Sequence, residues 1–312
     1  MNHNVKAYIA MTIAMTTVGS SFVVGKWITE SFPVFLASGL RYGLASALML
    51  IILFLIEKPF PKLTGKHVAT LLLLSLTGVF GFSVLLLYGV QYTSATESGI
   101  ITSTSPMVIS LISFFFLRER LSRKQWLGIL FAVCGISMIH LFTSETHEIV
   151  PGVPRWVGTL LIFGAVIGEA LFTIFGKVLS GKLSPLTIAT FASLIGFFMF
   201  LPFAIVEALA FDFTKPTLSD WMYIVYYAIV ITVIGFVLWY YGVSKVPVST
   251  SAVFTGVIAV SALVLSYIFL HERFEWGHLI GIVLVLSGIF ITSKQAGKGR
   301  SLQDNTKTEL QA

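Results

Sequence analysis

Five residues are placed where a polar group has to have a reason: Glu169, Glu97, Arg41, Thr102 and Ser105. Glu169 stands about thirteen residues, ~20 Å at 1.5 Å per residue, into the apolar run Trp156–Leu179, between the small residues Gly168 and Ala170. An ionisable group at that depth in a bilayer is costly, so it faces a cavity and marks a substrate or proton path. The competing reading is a protonated carboxyl hydrogen-bonded across a helix bundle. Arg41 lies about two turns into the run Pro33–Ile56. Its guanidinium is a bidentate fork that could clamp a substrate carboxylate, or a brace that pairs with Glu169 or with helix-end carbonyls. Glu97 closes Ser94-Ala-Thr-Glu97, which reads as a capping box with Ser94 at the N-cap, and is also a candidate for substrate or proton. In Thr102-Ser-Thr-Ser-Pro106 the proline removes a donor and clashes one turn back. Thr102 and Ser105 then either frame freed carbonyls for a substrate or satisfy the backbone of a kinked helix.

Other chemistry is thin. The six histidines form no HExxH and no close pair at ligand spacing, and no P-loop is present. No catalytic residue, metal site or cofactor is expected, and ATP-driven transport within the chain is unsupported. The single cysteine, Cys134, excludes an intrachain disulfide and reads as a small core residue.

The elements that position these groups are membrane-spanning helices. The 312 residues are 56% hydrophobic and 11% charged, with a mean hydropathy of +0.92, too apolar for a soluble globule. After an apolar segment beginning near Ala7, which has no convincing cleavage site, runs follow at Pro33–Ile56, His67–Val90, Ala95–Leu117, Lys124–Phe142, Trp156–Leu179, Pro185–Leu209, Asp220–Val243, Val248–Leu270 and Gly277–Ser293. Each approaches the ~20 residues that a ~30 Å hydrocarbon layer needs. The reading is an all-α integral membrane protein with ten transmembrane helices.

Two of these stretches are written twice. Tyr88–His140 aligns without a gap on Tyr241–Ser293, matching Tyr88 to Tyr241, Gly89 to Gly242, Glu119 to Glu272 and Arg120 to Arg273, at a constant offset (272 − 119 = 153). That is the signature of an internal repeat. Residues 1–145 and 146–294 then form two five-helix repeats, the second inverted because five is odd, with 295–312 as a disordered cytoplasmic tail. The net charge of +6 could suggest nucleic acid in a soluble protein, but here the basic residues lie in short loops. With the N-terminus inside, only Lys26, Arg155, Lys215 and Arg273 fall outside, Arg41 lies within a span, and every other Lys and Arg is inside, so both termini are placed in the cytoplasm. Tyr88 and Tyr241 then stand at opposite mouths. They are candidate gates, Tyr241 together with Trp239 and each tyrosine beside a glycine that allows movement, or else ordinary interfacial tyrosines. Gly128, Gly135, Gly281 and Gly288 read as helix-packing positions.

Phe35-Leu-Ala-Ser-Gly-Leu-Arg-Tyr42, Tyr88 to Pro106, and Leu117-Arg-Glu-Arg-Leu with Gln125-Trp-Leu-Gly128 resemble the EamA family of the drug/metabolite transporter superfamily, over nearly the whole chain. The resemblance implies a ten-helix inverted-repeat carrier, commonly an exporter, whose cavity is lined mainly by the first, third, fourth, sixth, eighth and ninth spans. Relatives move amino acids, other metabolites or drugs. A Trp-Gly pair common in the family's first helix is Val18-Gly19 here. The expectation is a secondary transporter of small organic molecules in the cell membrane, exporting them by alternating access with protons as the candidate coupling ion. An uncoupled metabolite facilitator or exchanger is the alternative. Its partners are the substrate and membrane lipid, with no nucleic acid, and it acts as a monomer or homodimer.

Overall fold

The structure, a computed structural model, describes residues 3–58, 63–102, 153–246 and 254–272 without a break, with scattered positions in 104–138, position 251 and most of 275–287. Its helices are α1 (His3–Ser31), α2 (Val34–Ile56), α3 (Gly65–Tyr92), α4 (Ala95–Thr102), α5 (Arg155–Ser180), α6 (Pro185–Ala210), α7 (Leu218–Lys245) and α8 (Gly256–Leu270). Among the described residues there is no strand, and six helices (α1 from Val5, α2, α3, α5 from Trp156, α6 and α7) are long and apolar enough to cross a membrane. The described part of the protein is therefore all-helical, with several helices fit to cross a membrane. Most of the fifth run, the hinge at 118–122, Pro106, Gly128, Arg273, Gly288 and the tail 295–312 lie outside the described residues.

Helix starts are set by short polar signals. Ser184 accepts from Thr187 N at 3.0 Å just before Pro185 at the first helical position of α6, where a missing N–H costs nothing. Thr217 and Asp220 cap α7 reciprocally: Thr217 N donates to Asp220 Oδ2 at 2.7 Å and Asp220 N to Thr217 Oγ1 at 3.4 Å. Ser31 Oγ also donates to Asp220 Oδ1 at 2.8 Å, which ties the end of α1 to the start of α7.

Close packing in lipid needs small residues, because tails compete equally for apolar surface. A Cβ at Gly99 of α4 would stand 2.2 Å from Ala262 Cβ of α8, one at Gly39 of α2 would stand 2.7 Å from Ala204 Cβ of α6, and one at Gly242 of α7 would stand 2.2 Å from Met11 Cγ of α1. The contacts also give direction. Leu36 N at the start of α2 donates to Glu207 near the end of α6, while Glu57 just after α2 accepts from Thr187 at the start of α6. The second run of one half thus lies antiparallel to the second run of the other. α4 and α8, the fourth and ninth runs, are antiparallel too, through Gly99 to Ala262 and Thr96 to Ser266.

Among the described residues three helices widen into π turns, Ser75–Gly81 in α3, Tyr227–Ile234 in α7 and Ser266–Leu270 at the end of α8. Adding the repeat offset to 75–81 gives 228–234, so the turns of α3 and α7 occupy equivalent positions. Single π turns inside α-helices are rare and concentrate at functional sites.

The outer surface is apolar: Leu209 is 85% and Leu55 74% exposed. Cys134 is also exposed, which corrects its reading as a core residue. An apolar run that faces lipid on one side and protein on the other carries no polar stripe to tell the two apart.

Candidate functional site

Between the halves lies a cavity walled by Met15, Val18 and Ser21 of α1, Arg41 of α2, Gly78 and Phe82 of α3, Glu169 and Phe172 of α5, and Tyr227, Ile231, Gly235, Phe236 and Trp239 of α7. The π turns of α3 and α7 both reach it. Gly78 in the first leaves room for Phe172, since a Cβ there would stand 2.3 Å from Phe172 Cβ. In the second, the widened turn lets Thr232 Oγ1 donate to Tyr227 O, five residues back, at 3.0 Å. The enclosed volume is about 50 Å³, room for a few waters but well short of the ~300 Å³ and upward of organic ligand sites. In this conformation the walls are drawn together.

Arg41 and Glu169, far apart in sequence, meet this one cavity. Arg41 is 3% exposed. Its Nε donates to Thr232 Oγ1 at 2.6 Å, and its guanidinium carbon lies 4.5 Å from the Tyr42 ring centre and 4.1 Å from that of Tyr227. Both rings are anchored: Tyr42 OH and Ser83 Oγ share a hydrogen bond of 2.9 Å, and Tyr227 OH donates to Ser21 O at 3.4 Å. No ion pair joins Arg41 to Glu169, so the brace expected between them is instead a bond to the π turn of α7. Helix α2, peripheral by the family resemblance, reaches the cavity through this one side chain. The implied fourth and ninth spans contribute no described wall residue.

Glu169 is half-buried. Ser105 Oγ lies 2.6 Å from Glu169 Oε2 and 2.8 Å from Thr102 O. A hydroxyl has one hydrogen, so both contacts are hydrogen bonds only when a protonated Glu169 donates to Ser105 and Ser105 donates to Thr102 O. The geometry accommodates a proton on that carboxyl. Thr102 itself donates to Ser98 O at 2.8 Å and does not line the cavity.

The remaining candidates lie elsewhere. Glu97 caps α4: Glu97 N donates to Ser94 Oγ at 3.0 Å, and Ser94 N and Thr93 Oγ1 donate to Glu97 Oε2. Its other oxygen lies 4.0 Å from His278 Nε2. Glu272 caps the same helix from across the bundle, accepting from Ala95 N at 2.9 Å and Thr96 N at 3.2 Å, and pairs with Lys26 at 3.7 Å. Tyr88 lies at the end of α3 in a shallow polar groove with Glu30, Gln91 and Glu207, while Tyr241 lies near the opposite end of α7. Trp239, grouped with Tyr241 in the sequence, is 3% exposed and lines the cavity. Two residues are about 200° of helix turn, so the two side chains point to different faces. Lys177 donates to Val243 O at 2.7 Å and Val246 O at 2.8 Å, capping the end of α7. Sequence reasoning missed Tyr42, Tyr227 and Thr232 as partners of Arg41. The usable signals were an aromatic next to the arginine and a lone threonine within an apolar run.

A model of the EamA-like transporter family matches residues 5–141 and again 156–294. An uncharacterized transporter, YetK, of Bacillus subtilis (strain 168) is 54% identical over 92% of this chain and 86% of its own. An uncharacterized transporter of Archaeoglobus fulgidus is 27% identical over 93% and 99%, and a WAT1-related protein of Arabidopsis thaliana 24% over 93% and 88%. A solved crystal structure superposes with a TM-score of 0.65 over 91% of this chain and 98% of its own, at 17% identity, a likeness of fold. With two successive matches covering nearly all of its length, this chain belongs to the EamA-like transporter family.

Proposed function

We propose that the chain is a secondary transporter that carries small organic molecules outward across the cell membrane by alternating access, with a proton bound at Glu169 as the coupled ion. Its architecture in this reading is ten spans in two inverted halves, 1–145 and 146–294, with both termini cytoplasmic. The observation that carries it is the cavity between the halves, which holds one carboxyl and one guanidinium in an otherwise apolar wall. A carrier must close around its cargo and reopen on the other side. The contracted cavity and the equivalent π turns of α3 and α7 support this, because each turn is a place where the helix can change register. Antiparallel packing of equivalent helices supports the inversion. Tyr88 and Tyr241 are the gates in this scheme, with Trp239 as part of the cavity wall rather than of the mouth.

The test is flux in proteoliposomes. Saturable uptake with counterflow of a preloaded substrate marks a carrier. Flux linear in concentration across the whole range, or chemical conversion of the solute, removes the reading.

A further inference from the structure

With a proton on Glu169, the cavity holds a cation for which the described residues supply no counter-charge. Arg41 is almost fully buried, and a guanidinium stays protonated in any protein setting. Its Nε is taken by Thr232, but among the described residues neither of its two NH2 groups has a hydrogen-bond acceptor and no carboxylate pairs with it. The faces of Tyr42 and Tyr227 compensate in part. Leaving the remaining charge unpaired is strongly unfavourable. The rings also clamp the guanidinium plane, so the free NH2 edge is held in place beside the cavity rather than swung to solvent.

We propose that Arg41 is the anion subsite of this transporter, and that the cargo is a monocarboxylate with an apolar, ring-sized body. The proposal rests on the transport reading above and names its substrate class. A carboxylate matches the two-pronged NH2 edge in a way that no amine or neutral amide does. One fixed cation balances one negative charge, which disfavours dianions. The rest of the wall (Phe82, Phe172, Phe236, Trp239, Met15 and Ile231) offers ring faces and aliphatic surface for an apolar body.

Glu169 makes the binding of cargo and proton cooperative. The ionisable groups on the wall are Arg41 from α2, Glu169 from α5 and the Tyr227 phenol from α7. α1 and α3 bring none, and Ser105, beyond the end of α4, brings a neutral hydroxyl to Glu169. With a proton on Glu169 the cavity carries one net positive charge and holds the anion; without it, Glu169 balances Arg41 and the anion is released. By linkage the proton and carboxylate favour each other's binding, so they cross together as an electroneutral pair, and efflux runs down the cargo's own gradient.

The experiment measures equilibrium binding of radiolabelled benzoate to the purified full chain in detergent, with benzamide, benzylamine and chloride as competitors. Benzoate is expected to bind, benzamide and benzylamine to fail as competitors, and chloride to compete only weakly. Arg41→Gln is expected to weaken benzoate roughly tenfold or more, with Arg41→Lys between the two. Equal competition by benzamide overturns the proposal in the wild-type protein alone, whatever the folding of the variants. So does benzoate affinity unchanged in a folded Arg41→Gln protein, or chloride competing as well as benzoate, which would mark an inorganic-ion site. Flux is read separately in proteoliposomes, where benzoate transport should ignore an imposed membrane potential. Arg41-dependent binding without any flux leaves the subsite standing and removes the transport reading. Flux of neutral or cationic solutes that benzoate neither shares nor inhibits does the reverse.

Discussion

Arg41 Nε donates to Thr232 Oγ1 at 2.6 Å, and Thr232 donates in turn to Tyr227 O at 3.0 Å. Through this relay a charge on α2 is fastened to the backbone carbonyl that the π turn of α7 leaves reachable. Thr232→Val keeps the shape and removes both bonds. A buried donor left without its acceptor costs ~1–3 kcal/mol, so the variant should unfold at a lower temperature than wild type, while Thr232→Ser should restore most of the loss. Thermal unfolding in detergent by intrinsic fluorescence checks this, and equal midpoints for the Val and Ser variants would contradict the relay.

Glu169 carries the proton in the proposed cycle. Glu169→Gln should abolish flux driven by a pH gradient and spare exchange of cargo for cargo, since an amide keeps the shape but never releases a proton. Ser105→Ala removes the hydrogen bond to Glu169, worth ~1 kcal/mol, together with the one to Thr102 O, and loss of the first should weaken pH-driven flux roughly fivefold. Both are read in proteoliposomes with an imposed pH gradient; a glutamine variant with wild-type pH dependence would end the assignment.

Helix contact depends on missing side chains. Gly99→Val would drive atoms into Ala262, whose Cβ lies 2.2 Å from where the new Cβ must stand, and should cost ~2 kcal/mol or more through overpacking. Gly181 is the control. Its surroundings are empty within 4 Å and its backbone is right-handed, φ −79° and ψ −10°, so Gly181→Ala should stabilise the protein by ~0.4–1 kcal/mol through the unfolded chain. Paired melting curves decide, and similar shifts in the two variants would refute the packing argument.

Sidedness can be read with thiols. In a Cys134→Ala background, Lys215→Cys should react with an impermeant maleimide in intact cells and Lys182→Cys only after lysis, because both positions are exposed and lie in loops at opposite ends of α6. Labelling of both from outside would sink the orientation drawn from the loop charges.

The gates have a reciprocal signature. Tyr88→Cys and Tyr241→Cys should change reactivity in opposite senses when cargo is added, one mouth closing as the other opens. Reactivity unmoved at both positions would leave them as ordinary interfacial tyrosines.

Chain composition and the spacing of apolar runs were enough to call for membrane-crossing helices, because a bilayer demands long uninterrupted segments whatever the detailed packing. Tyr88–His140 and Tyr241–Ser293 likewise exposed the duplication directly, and Glu169 was conspicuous as a charge deep in such a run. What lay beyond the sequence was which polar groups share a space. Arg41 and Glu169 come together because α2 and α5 converge on α7, and Ser105 turns to Glu169 across the bundle. The π turns are set by packing: Gly78 against Phe172, and Thr232 standing in for a displaced backbone bond. Cys134 shows the same boundary from the other side. In lipid both faces of a span are apolar, so periodicity stops marking the interior, and only the assembled bundle decides which side chains meet the cavity and which meet the membrane.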